Sequence, residues 1–84
     1  MYFIAQHRIS DPSKFWELAK SKTANLPSGL KLHKVLTNTD DTRAVCLWEG
    51  TKIDDVKAFV QGAVGHVSTN EYFEVETKNA VGLP

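Results

Sequence analysis

Residues 44–50 read AVCLWEG, and as a strand this segment is apolar at both parities: Ala44, Cys46 and Trp48 fall on one face, Val45 and Leu47 on the other beside Glu49. A strand apolar on both sides needs cover on both sides. With 84 residues the chain can build one domain around one core, burying roughly 60% of its unfolded surface. Cover for the second side is therefore expected from outside that core, and a second subunit is the economical source.

The neighbouring segments set the architecture. Residues 2–9 (YFIAQHRI) alternate as a strand, and "SDP" then opens a helix, with Asp11 as N-cap and Pro12 at the first helical position, where its missing N–H costs nothing. Phe15, Leu18 and Ala19 share one face of that helix, which ends near "NLPSG". Residues 30–37 alternate again, "NTDDT" reads as a hairpin turn, and residues 43–49 form the third strand. A second helix follows "GTKID", where Thr51 and Asp54 are spaced like a capping box. Its buried stripe is Ile53, Val56, Phe59, Val60 and Ala63, and Gly65 is placed to stop it. Residues 70–76 form the last strand. The order β-α-β-β-α-β is that of a ferredoxin-like α+β fold, a four-stranded antiparallel sheet with two helices on one face. Residues 1–76 make the domain, and residues 77–84 form a tail expected to dock on a sheet edge or on a partner through Ala80, Val81 and Leu83.

Composition narrows the function classes. Ten Lys+Arg balance ten Asp+Glu, and the lysines are scattered, so the concentrated basic face that nucleic acid requires is missing. The N-terminal run carries no basic leader, and no segment approaches the ~20 apolar residues of a membrane span. A cytoplasmic protein is expected. The single cysteine, Cys46, excludes an intramolecular disulfide and suits a reducing compartment.

With the hairpin centred on Thr39–Asp40, opposed residues pair Leu32 with Leu47, His33 with Cys46 and Lys31 with Trp48. The aliphatic set Leu30, Leu32, Leu36, Val45 and Leu47 then lies under the helices, with Phe73 and Val75. His33, Val35, Ala44, Cys46, Trp48, Tyr72 and Glu74 go to the open face, and Phe3, Ala5 and His7 are assigned there too. On this assignment Phe3, Trp48, Tyr72 and His33 contact a ligand or form the interface of a homodimer.

The same face gathers imidazole, thiol and carboxylate. His7, His33, Cys46, Tyr72 and Glu74, with Glu49 and His66 near the ends, are the candidate chemistry, and their imidazole, thiolate and carboxylate groups are plausible ligands for nickel, zinc or copper. Their spacing has none of the patterns of a metal motif, and Cys46 reads equally as a small buried hydrophobe. A His beside an acid at the edge of an apolar cavity is also the equipment of a general base.

With "QHR" ending the first strand, "CLWEG" the third, a helix stopping at Gly65 and "NEYFEV" as the last strand, residues 2–76 resemble a family of small bacterial ferredoxin-like proteins that includes an actinobacterial nickel-binding protein. The resemblance implies a metal role for His7, Cys46 and Glu49. Relatives often carry histidines in the second helix before its glycine; here Val60 and Val64 occupy those places, and His66 is the remaining candidate ligand. Ferredoxin-like dimers also include proteins that hold small organic molecules, some as cofactorless monooxygenases or isomerases. The expectation is a small homodimeric protein that binds a small ligand or a transition-metal ion, nickel among them. The alternative is a cofactor-independent enzyme, monooxygenase- or isomerase-like, on a small apolar substrate.

Overall fold

The computed structural model describes residues 1–84 as β1 (Tyr2–Ile9), α1 (Pro12–Thr23), β2 (Lys31–Thr37), β3 (Arg43–Glu49), α2 (Ile53–Val64), β4 (Ser68–Glu74) and a 3-10 turn at Thr77–Asn79. The strands form one antiparallel sheet in the order β2-β3-β1-β4, the ferredoxin-like arrangement. Asp11 caps α1 through its side chain, which accepts from the Lys14 amide at 3.1 Å, with Pro12 in the first turn. The capping box expected at Thr51–Asp54 does not form. Lys52 is the N-cap of α2 and makes no side-chain cap bond, and Asp54 and Asp55 in the first turn offset the helix dipole instead. Gly65 is the C-cap of α2, still in right-handed conformation, and the close approach there calls for glycine: a Cβ would stand 2.5 Å from the Gln61 carbonyl oxygen that accepts from its amide.

The hairpin between β2 and β3 is longer than a two-residue turn. Asn38 Oδ1 accepts from the amides of Thr42 and Arg43, and Asp41 takes a left-handed φ of 62°. The register moves accordingly to Val35 opposite Cys46 and Lys34 opposite Leu47, and a bulge at His33 resets it to Leu32 opposite Trp48. The pairs expected from a tighter turn, Leu32–Leu47, His33–Cys46 and Lys31–Trp48, are absent.

The expected faces are interchanged on β1, β3 and β4, whereas Leu30 and Leu32 lie on the helix side as expected. Phe3, Ala5, Ala44, Cys46 and Trp48 form one buried cluster with Phe15 of α1 and Val56, Val60, Ala63 and Val64 of α2, and His7 is buried beside Phe15. The helices cover this face. Its small side chains explain the choice: Ala5 pairs with Cys46 and His7 with Ala44 in adjacent strands, so the sheet is thin where α2 approaches and the aromatic rings fill the margins. Phe3, Trp48 and Tyr72 thus belong to the covered side and cannot anchor an interface through the open one.

The open face carries Ile4, Val45, Leu47 and Phe73 instead. Val45 is 37% and Phe73 49% exposed, and Leu36 beside them is 64% exposed. The tail returns toward this face, where Ala80, Val81 and Leu83 line a shallow pocket with Ile4, Leu47 and Val75 and the Tyr2 hydroxyl donates to the Pro84 carbonyl at 2.8 Å. Val81, however, is 98% exposed and makes no docking contact of the kind expected for it.

Candidate functional site

Between the helices and the sheet lies an apolar cavity of about 190 Å³. Phe15, Trp16 and Ala19 of α1, Phe59 and Val60 of α2, and Cys46 and Trp48 of β3 form most of its wall, with His7, Lys20 and Thr23 as the polar residues. α1 packs on α2, and Leu32 and Val35 of β2 complete the wall. Engineered apolar cavities of about 150 Å³ take up benzene. One or two fused rings suit this space.

His7 reaches the cavity because β1 runs through the middle of the sheet and alternates Phe3, Ala5 and His7 toward the helices. The residue is 4% exposed. Its Nδ1 stands 2.6 Å from Asn70 Oδ1 on β4. Asn70 Nδ2 donates to Gln61 Oε1 of α2 at 2.8 Å, and the Tyr72 hydroxyl donates to the same oxygen at 2.9 Å. Desolvation by burial holds the pKa of His7 below the usual imidazole range, with the Asn70 hydrogen bond opposing it. The imidazole is therefore neutral at pH 7. Burial pushes the Tyr72 hydroxyl up to about 12 and the Cys46 thiol up to about 12, so Cys46 is a thiol and not a thiolate nucleophile.

Trp48 adds a polar atom to the otherwise apolar part of the wall. It is 2% exposed, its ring meets Phe59 edge-on at 5.5 Å between centroids, and its Nε1–H is buried with no acceptor. Native proteins rarely leave such a donor unsatisfied. Trp48 lines the cavity, but the N–H itself is sealed from the cavity space, so a ligand oxygen reaches it only if neighbouring side chains shift.

The four residues expected to hold a metal are not brought together. Nowhere do three side chains of His, Cys, Asp or Glu converge as a metal site requires. His7 is engaged with Asn70, Cys46 keeps its proton, and His66 is exposed beyond the end of α2. Glu49 accepts from His33 Nε2 at 2.7 Å. That bond, with smaller contributions from nearby positive charges, lowers the Glu49 pKa, and the pair closes the bulged end of β2 against β3. This arrangement of donors gives the metal expectation no support.

Sequence reasoning named His7, Cys46 and Trp48 but missed Asn70 and Gln61. Both look like ordinary polar positions in the sequence, and only the β1–β4 register, His7 opposite Asn70, and the placement of α2 join them to the imidazole. The helix stripe residues Val60 and Ala63 were read correctly as buried; their second role as cavity wall depends on the void beneath them.

No known protein family and no curated protein matches the sequence. Among solved structures the chain is similar to SnoaB, a cofactor-independent oxygenase from Streptomyces nogalater, with 18% identity over 95% of this chain and 94% of that one and a TM-score of 0.66. It is also similar to a putative antibiotic biosynthesis monooxygenase from Caulobacter crescentus, with 18% identity over 89% of each chain and a TM-score of 0.47. Neither comparison supports kinship with nickel-binding proteins. The likeness to SnoaB shows the fold, a ferredoxin-like sheet with two helices, and no more than the fold.

Proposed function

We propose that this chain is a cofactor-independent enzyme, monooxygenase- or isomerase-like, acting on a small apolar substrate with an acidic C–H beside an oxygen atom. The observation that carries the reading is a buried imidazole of lowered pKa in the wall of an apolar cavity, with Trp48, whose buried indole N–H lacks an acceptor, in the same wall. Such a pair can remove a proton and hold the negative charge that results. The fold shared with SnoaB, a cofactor-independent oxygenase, supports it further.

In this reading His7 Nε2 takes the proton, and the enolate or phenolate oxygen accepts from Trp48 Nε1. The apolar wall excludes water and strengthens both interactions. In the isomerase branch the imidazolium returns the proton to a different carbon. In the oxygenase branch the carbanion adds to dioxygen and the imidazolium protonates the peroxide. Loss of water then turns the original CH₂ into C=O, with dioxygen as the only oxidant.

The test uses 1-indanone, an apolar bicyclic ketone, in D₂O. The protein accelerates exchange of the α-protons, followed by NMR, and His7→Gln abolishes the acceleration. An oxygen electrode on the same mixture separates the two branches. Absence of any acceleration across a panel of such ketones and naphthols overturns the enzyme reading and leaves a binding protein.

We further propose that the partner is a second copy of this chain, packed through the open face. Val45, Leu36 and Phe73 are exposed there together, and Arg8 and Arg43 stand opposite one another with no carboxylate within ion-pair reach. Glu71, opposite Gln6 on the same face, is likewise unpaired. A two-fold axis through Val45 brings the arginine end of one copy toward the Glu71 side of the other. Sedimentation across a concentration series tests this, and a monomer at all concentrations contradicts it.

A further inference from the structure

An imidazole serves as a base through one nitrogen only, and which one is free depends on where the ring's single proton sits. For His7 the decision is made on another element. Gln61, an exposed residue of α2, turns its Oε1 toward β4, where it receives both the Asn70 amide at 2.8 Å and the Tyr72 hydroxyl at 2.9 Å. An amide has one donor end and one acceptor end. With its NH₂ committed to Gln61, Asn70 presents its oxygen to His7, and a ring nitrogen 2.6 Å from a carbonyl oxygen carries the proton.

We propose that Gln61 is a positioning residue for His7: acting through Asn70, its side-chain oxygen selects the Nδ1–H tautomer and leaves Nε2 with its lone pair. This rests on the reading of His7 as the base. One other self-consistent arrangement exists, with both amides turned over, the Gln61 NH₂ facing Asn70 and Tyr72 and the Asn70 NH₂ facing Nδ1. His7 would then carry its proton on Nε2 and could not accept one there. Tyr72 favours the first. Its hydroxyl donates to Gln61 Oε1 at 2.9 Å, and in the turned arrangement it would accept from the Gln61 NH₂ and give up that bond for one to solvent.

The experiment reads the ring directly and needs no substrate. Long-range ¹H–¹⁵N correlation spectra of ¹⁵N-labelled protein, taken where His7 is neutral, distinguish the lone-pair nitrogen from the N–H nitrogen. The wild type shows Nδ1–H with the lone pair on Nε2. Gln61→Glu retains two acceptor oxygens and keeps that tautomer. Gln61→Lys offers only donors and inverts it, and Tyr72→Phe removes the tie-breaker and gives a mixture. Amide dispersion in the same samples reports that each variant is folded, and the wild-type and Gln61→Glu spectra suffice if Gln61→Lys does not fold. An Nε2–H tautomer in the wild type, its appearance in Gln61→Glu, or a folded Gln61→Lys with the wild-type ring overturns the proposal. A correct tautomer with no α-proton exchange instead counts against the enzyme reading alone.

Discussion

The Nδ1 atom of His7 lies 2.6 Å from Oδ1 of Asn70, joining the central strand to an edge strand beneath the helices. The ring is buried and its pKa is lowered mainly by desolvation, with the Asn70 bond working in the other direction. The unfolded chain therefore binds a proton at this residue more readily than the folded one. For a depressed pKa, the stability is fully present above the unfolded value of about 6.5 and is lost as pH falls from there through the lowered folded value. Thermal midpoints measured across this range should fall on acidification in the wild type and flatten in His7→Gln. An unchanged slope in the variant would mean that another group is responsible.

The two faces of β3 can be told apart by adjacent substitutions. Ala44 is buried under the helices and Val45 is exposed on the opposite side. Ala44→Glu places an unpaired charge in the core and should cost several kcal/mol, enough to unfold a small domain. Val45→Glu should change monomer stability by no more than about 1 kcal/mol while weakening self-association. Denaturant unfolding of both variants and sedimentation of the second decide the assignment; the reverse ranking would restore the faces expected from sequence.

Trp48→Phe removes a buried N–H that has no acceptor. Relief of that unsatisfied donor, worth about 1–3 kcal/mol, works against the loss of part of the ring's packing, which is of similar size. Chemical denaturation should therefore show little net change. Affinity for an oxygen-bearing ring such as 1-indanone should fall by roughly tenfold, the value of one hydrogen bond in a dry site, while indane, which lacks the oxygen, should bind both proteins alike. Equal losses for the two ligands would show that only ring packing was removed.

Much of the fold was legible from local chemistry. Asp11 and Pro12 start α1 as their types dictate, and the alternation of residues 43–49 separates Ala44, Cys46 and Trp48 from Val45 and Leu47 correctly. Which set the helices cover was not legible, because both sets are apolar and the pattern alone carries no sign. Aliphatic bulk suggested one answer; the small residues Ala5, Ala44 and Cys46, which let α2 approach, decided the other. The bulge at His33 escaped because it follows from a hairpin whose length is fixed by Asn38 bonding two amides beyond it. Of the site, His7 and Trp48 stood out by type, whereas Asn70 and Gln61 acquire their meaning only from contacts across three elements.

The central claim is that neutral His7 removes a proton inside the cavity. The pH dependence of α-proton exchange in 1-indanone, measured for the wild type and for His7→Gln, tests it most directly. The wild-type rate should rise with pH and level off, with its midpoint below the ordinary imidazole value of about 6.5, and the variant should show only the solvent reaction. A variant that exchanges as fast as the wild type, or a wild-type midpoint above that value, would contradict the assignment of His7 as the base.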